Sequence, residues 1–231
     1  MSPPPPYIRR LKCYAFDPLA SADLRTADVN LVTLEVRWEA DLRPGPVGEY
    51  LEVIDRLPGE DRPVPGVDLN DPHYLATDGV TPSETNYQFH QQMVYVVGMK
   101  TIAHFERALG RPVIWSSRFI RRPGRGVREV YTPRLKVYPH GLREANAFYN
   151  PYTKELKFGV FVASADSRRQ MPGSRVFTCL AYDVVAHETA HALLDGVHRY
   201  FTTGRHPDVP AFHEAFADLV ALFQHFTHAD V

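Results

Sequence analysis

The chain is 231 residues long, enough for one sizeable domain or two small ones. Its 26 lysines and arginines are balanced by 27 aspartates and glutamates, and the resulting net charge of -1 argues against nucleic acid or an acidic membrane surface as a partner. No apolar run approaches the ~18 residues of a transmembrane helix. The start MSPPPPYIRR lacks the apolar stretch of a secretory signal, so a cytoplasmic setting is the default expectation, although a removed leader would leave no trace. The two cysteines, Cys13 and Cys179, are expected to be buried and reduced rather than paired.

In chain order, residues 7–16 and 30–38 (NLVTLEVRW) alternate in the manner of strands. Residues 44–72 hold six prolines and several glycines, which predicts a long irregular excursion around one short helix near 48–56. Residues 84–109 contain no proline, and Phe89, Met93, Val96, Val97, Ile102, Phe105 and Leu109 recur at helical spacing before Gly110. This predicts a long helix. Strand-like runs follow at 112–117, 130–138, 145–149 and 155–163, and two helices close the chain at about 176–195 and 210–227. Residues 118–128 carry five arginines with glycines and a proline between them, a pattern that favours a solvated hairpin loop over an anion-binding patch. The order of elements implies an α+β fold. Residues 1–83 supply the N-terminal strands and the proline-rich region, and residues 84–231 supply the core that carries the chemistry.

That chemistry lies in DVVAHETAHALLDG, residues 183–196. Positions i and i+4 of a helix share a face, so His187 and His191 can both aim an imidazole nitrogen at one ion. Zinc accepts nitrogen and oxygen ligands at ~2.0–2.2 Å in tetrahedral geometry. Glu188 is rotated only ~100° from His187, which puts its carboxylate beside the ion rather than on it. There it can take a proton from a water at the zinc and later pass it to a leaving amine. With 11 histidines in the chain, random placement yields such a motif in about one chain in forty, so the motif alone does not decide. Downstream, Glu214 and Asp218 lie one turn apart on the last helix. A turn in the linking segment would bring Glu214 in as third ligand and place Asp218 to accept the other N–H of a zinc histidine. The fourth position would stay open, the mark of a catalytic site. His198, His213 and His225 read as surface or packing residues. Asp195 either supports the ligand histidines or caps its helix.

Together, 183–196 and HEAFADLVALF (213–223), with NAFYNPYTKELKFG (146–159) upstream, resemble the gluzincin metallopeptidases, most closely the thermolysin-like group. The resemblance covers roughly residues 84–226. It implies a zincin-like catalytic domain, with a twisted mixed sheet whose exposed edge strand lies over the active-site helix. It implies His187, His191 and Glu214 as zinc ligands, Glu188 as general base and Asp218 as the group orienting His187. Asn146 and the main chain of Ala147 would bind the substrate as an added strand. Phe148 and Tyr149 would line the cleft, and the family's active-site tyrosine would fall at Tyr200. In the family a further helical domain follows the catalytic one and supplies an oxyanion donor, so the chain reads as a catalytic part of a longer protein. The expected function is a zinc-dependent peptidase that cuts within chains and acts on peptide or protein substrates. The rival is a zinc-binding or interaction domain with little activity.

Overall fold

The computed structural model describes residues 6–60, 62–122, 126–167, 170–198 and 206–228. Strands β1 (Ile8–Tyr14) and β2 (Leu31–Arg37) form an antiparallel pair, with Leu11 opposite Leu34 and Cys13 opposite Val32. In β2 every second residue is buried, the alternation expected of a half-buried strand. The predicted helix near 48–56 is instead strand β3 (Leu51–Val53). Leu51 and Val53 both face the core, and the segment pairs in parallel with residues 135–137, which gives this short stretch inter-strand partners that a lone turn of helix lacks. A short helix, α1 (Pro72–Ala76), is capped by Asp71, whose side chain accepts from the His73 amide; the sequence reading did not foresee it.

Helix α2 (Tyr87–Leu109) starts at the N-cap Asn86 and stops at Gly110, which adopts the left-handed conformation at φ 65°. It is buried over most of its length, and its buried polar residues each hold a neighbouring segment. Gln91 Oε1 accepts from Val67 N–H at 2.7 Å, and its Nε2 donates to Asp55 at 2.9 Å and to the Pro65 carbonyl. Gln92 binds Val80 and the Lys12 carbonyl. The proline-rich excursion is thereby tied to the central helix. Without those partners the two buried amides would each forfeit the water they left.

The run 112–117, expected as a strand, is irregular, and the arginine run next to it forms the hairpin of β4 (Arg118–Arg122) and β5 (Gly126–Val130). The strand expected at 130–138 begins later, as β6 (Leu135–Leu142), after Pro133. Strand β7 (Ala147–Asn150) and strand β8 (Glu155–Val162) pair antiparallel, and β8 runs parallel to β6. The sheet is mixed, in the order β3-β6-β8-β7, which leaves β7 at an edge. Strand β9 (Arg175–Phe177) pairs with the far end of β8. The helix expected from 176 starts later for that reason: Val176 and Phe177 are committed to the sheet. A 3-10 turn at Thr178–Leu180 then leads into α3 (Tyr182–Val197), and α4 (Asp208–His225) closes the described chain.

One continuous core runs from Leu11 to Ala221 and includes the β1–β2 pair, α2, the sheet and α3. Cys13 and Cys179 are both free and buried. No helix of the described residues is long and apolar enough to cross a membrane. The architecture is α+β with a mixed sheet.

The approach to the edge strand depends on Gly159. A Cβ there would lie 2.0 Å from the Glu144 carbonyl oxygen and 2.6 Å from that of Asn146, and backbone cannot swing aside as a flexible side chain can. Gly159→Ala is expected to displace residues 144–147 and to destabilise the protein by about 1–3 kcal/mol. Chemical denaturation checks this; a loss below about 0.5 kcal/mol, typical of a neutral surface change, would contradict it.

Candidate metal centre

Helices α3 and α4 pack against each other along a stripe of α4 made by His213, Ala217, Ala221 and Gln224, all buried. The small alanines let the helices approach closely, and this brings the acidic side of α4 over the histidine face of α3. His187 Nε2 and His191 Nε2 are 2.9 Å apart. Glu214 Oε2 lies 3.3 Å from the first and 3.5 Å from the second. Bonds of the length zinc makes to nitrogen and oxygen place the corners of a tetrahedron about 3.3 Å apart. The three donor atoms therefore match three corners around one ion of this size, and together they form a candidate metal-holding group.

Each histidine presents Nε2 to this centre and uses Nδ1 elsewhere. His187 Nδ1 is 2.9 Å from Asp218 Oδ1, an arrangement that keeps the ring proton on Nδ1 and leaves Nε2 as a lone-pair donor. His191 Nδ1 is 2.5 Å from Nδ1 of His213, and the two rings stack at 4.7 Å between centroids. With the His191 proton on Nδ1, His213 accepts at its own Nδ1 and carries its proton on Nε2. Burial, with His187 and His213 adding to it, drives the His191 pKa down to about 3, so this ring is neutral and able to ligate. Burial likewise lowers that of His213.

The sequence reading took His213 for a surface or packing residue, and its burial in the α3–α4 stripe supports packing. It is 8% exposed and hydrogen-bonds to His191. The signal was available: His213, Ala217 and Ala221 recur at i+4, and the two alanines mark the packed face.

Glu188 is 8% exposed and lines the same pocket as His187. Burial pushes its carboxyl up to about 7; the His187 ring and the main-chain N–H of Tyr149, which donates to it, pull the other way, and Glu214 adds to the rise. Tyr149 belongs to β7, so the edge strand presents its backbone to the site. The Tyr149 side chain is turned inward rather than lining an open cleft, and its hydroxyl donates to Asp195 Oδ2 at 2.6 Å. Asp195 is nearly fully buried and is also paired with Lys154 Nζ at 2.5 Å. Of the two roles considered for Asp195, simple capping does not describe this arrangement. It joins the end of α3 to the β7–β8 hairpin, a link through Lys154 that the sequence reading missed.

Asn146 is exposed just before β7; its Oδ1 accepts from the Ala147 N–H at 2.9 Å, and its carbonyl accepts from the Thr178 hydroxyl. Ala147 opens the edge strand, and Phe148 follows it. Tyr200 lies outside the described residues. His225 is stacked on Phe16 at 5.0 Å and lines the same pocket as His187 and Glu188. An open pocket of about 500 Å³ adjoins the cluster, lined by Val184, His187, Glu188, Asp218, Ala221 and Leu222 among others.

No protein-family model matches this chain, and no curated protein matches it either. The resemblance to gluzincins rests on the residues themselves.

Proposed function

We propose that this chain is a zinc-dependent peptidase domain of zincin-like fold, with His187, His191 and Glu214 as the metal ligands. The observation that carries the reading is the convergence of those three donor atoms within 3.5 Å of one another, with the buried Glu188 carboxyl alongside. Zinc, when bound, supplies a Lewis acid for the substrate carbonyl and makes an adjacent water acidic. Glu188 accepts one proton from the attacking water and returns it to the amine nitrogen as the C–N bond breaks. Asp218 and His213 hold the two ligand rings in the orientation that aims Nε2 inward.

The substrate would lie along the open edge of β7. Backbone groups alternate in direction along a strand, so Ala147 shares the direction of Tyr149, whose N–H faces Glu188. A peptide added at that edge would pair with the Ala147 main chain. Asn146, exposed at the head of the strand, can turn its amide to the substrate. The pocket between Val184 and Leu222 would take a substrate side chain.

The rival reading is a zinc-binding domain with little activity. Glu188 favours the enzyme: a structural zinc site has no use for a buried carboxyl that ligates nothing. Zinc content together with cleavage of a broad peptide library, wild type against Glu188→Gln, tests the proposal. A second expectation concerns Asp218. Asp218→Ala should weaken zinc binding about 10–100-fold by freeing the His187 ring, with little change in stability because the side chain is exposed. Competition with a chelator measures it, and unchanged affinity would show that Asp218 does not orient the ligand.

A further inference from the structure

A second cluster is made by His90 of α2, His140 of β6 and Cys179 of the 3-10 turn before α3. All three are buried, and their donor atoms lie within 4.8 Å of one another. His90 Nδ1 faces His140 Nε2 at 2.8 Å.

The outer hydrogen bonds assign the ring protons. His90 Nε2 is 3.0 Å from the Glu84 carbonyl, which can only accept, so Nε2 carries the proton. His140 Nδ1 is 2.6 Å from the Asp55 carboxylate, so Nδ1 carries the proton there. A neutral imidazole has one N–H. The two nitrogens that face each other are then both lone pairs, at a separation that repels unless a cation lies between or beside them. A proton could bridge two such atoms. It leaves unexplained why a thiol stands at the third corner.

We propose that His90 Nδ1, His140 Nε2 and Cys179 Sγ form a second metal site for a thiophilic divalent ion such as zinc. Two nitrogens and a sulfur are a donor set that zinc favours. Charge supports a divalent ion: two positive charges are met by the Cys179 thiolate and the Asp55 carboxylate, so the buried group is neutral overall. Asp55 stands in the position of a carboxylate that orients a ligand histidine, and Gln91 holds its other oxygen at 2.9 Å. The rings of Tyr87 and Phe177 pack on the pair with centroids 4.6–5.4 Å from theirs. The site is buried and has three protein donors. It would staple α2 and β6 to the segment that enters α3, the helix carrying His187 and His191.

The test does not depend on the peptidase reading. Metal-stripped full-length protein is titrated with Co²⁺ alone, and metal content is measured after reconstitution with Zn²⁺. Wild type is expected to hold two equivalents and to show a thiolate-to-cobalt charge-transfer band in the near ultraviolet. Cys179→Ala should lose the band and one equivalent, whereas Cys13→Ser should keep both. His191→Ala should lose the other equivalent and keep the band, because the first centre has no sulfur ligand. Should Cys179→Ala fail to fold, the wild-type and Cys13→Ser spectra still decide. Absence of a thiolate band in wild type at saturating Co²⁺, or a single equivalent that His191→Ala removes, would overturn the proposal and leave the cluster as a proton-bridged pair.

Discussion

Replacing Glu188 by glutamine is expected to abolish peptide hydrolysis while the protein keeps its zinc. The change is nearly isosteric, and the glutamine oxygen can still accept the Tyr149 N–H, so the edge strand stays where it is. On the proposed function, what is lost is the group that would take a proton from water and deliver it to the leaving nitrogen. Removing such a group costs about 10²–10⁴ in rate. Stability should not fall with activity, and the sign can be worked out for the metal-free protein. The folded-state pKa of Glu188 is raised, to about 7, so its contribution to stability is fully present below its unfolded pKa and is lost as pH rises through 7. Glutamine carries no such penalty. Metal-free Glu188→Gln should therefore gain stability relative to wild type across that rise and gain nothing at acid pH. Cleavage rate, zinc content by mass spectrometry and denaturation at two pH values give the full result. Equal rates in the two proteins at equal zinc content would eliminate the peptidase reading.

Features set by local spacing could be read before the structure was known. His187, Glu188 and His191 are placed by one helix, and Glu214 and Asp218 by another, so the i+4 rule put each group on one face. Helix α2 was legible for the same reason, from its apolar period to the stop at Gly110. Where geometry depends on how two elements meet, sequence was a poor guide. The orientation of His213 follows from the crossing of α3 and α4 along Ala217 and Ala221, and counting degrees around one helix pointed it away. Segment 51–53 is a strand because β6 lies beside it. The His90–His140–Cys179 cluster draws on three elements with no shared spacing, so no motif announces it. Tyr149 was read by its side chain, yet the group it offers the site is a main-chain N–H, which every residue but proline has.

The largest stability effect is expected at Lys154. Its ammonium, with only 6% of the side chain exposed, meets Asp195 at 2.5 Å, where the Tyr149 hydroxyl also donates. Burial and the adjacent Asp195 charge push the Tyr149 phenol well above its ordinary pKa, so it remains a donor. Lys154 itself adopts a left-handed conformation at φ 58°, which costs an ordinary residue about 1–2 kcal/mol. The turn around it is well supported: Asn150 Oδ1 accepts from the amides of Tyr152 and Thr153, and the Asn150 carbonyl accepts from Lys154 N–H at 2.9 Å. Glycine or asparagine would suit that backbone better, so the strain is tolerated for what the side chain reaches. Lys154→Met keeps the apolar stem and removes the charge, which leaves Asp195 buried without its cation. Breaking a buried pair in this way costs about 3–5 kcal/mol. Adding Asp195→Asn should recover part of the loss, because no uncompensated charge then remains. Catalysis should suffer as well. The pair joins the β7–β8 hairpin to α3 one turn beyond His191, and the Tyr149 amide that reaches Glu188 lies on that hairpin. A denaturation midpoint for Lys154→Met within about 1 kcal/mol of wild type would mean that the charge finds water or another partner, and that the edge strand is held over the metal centre by its backbone pairing alone.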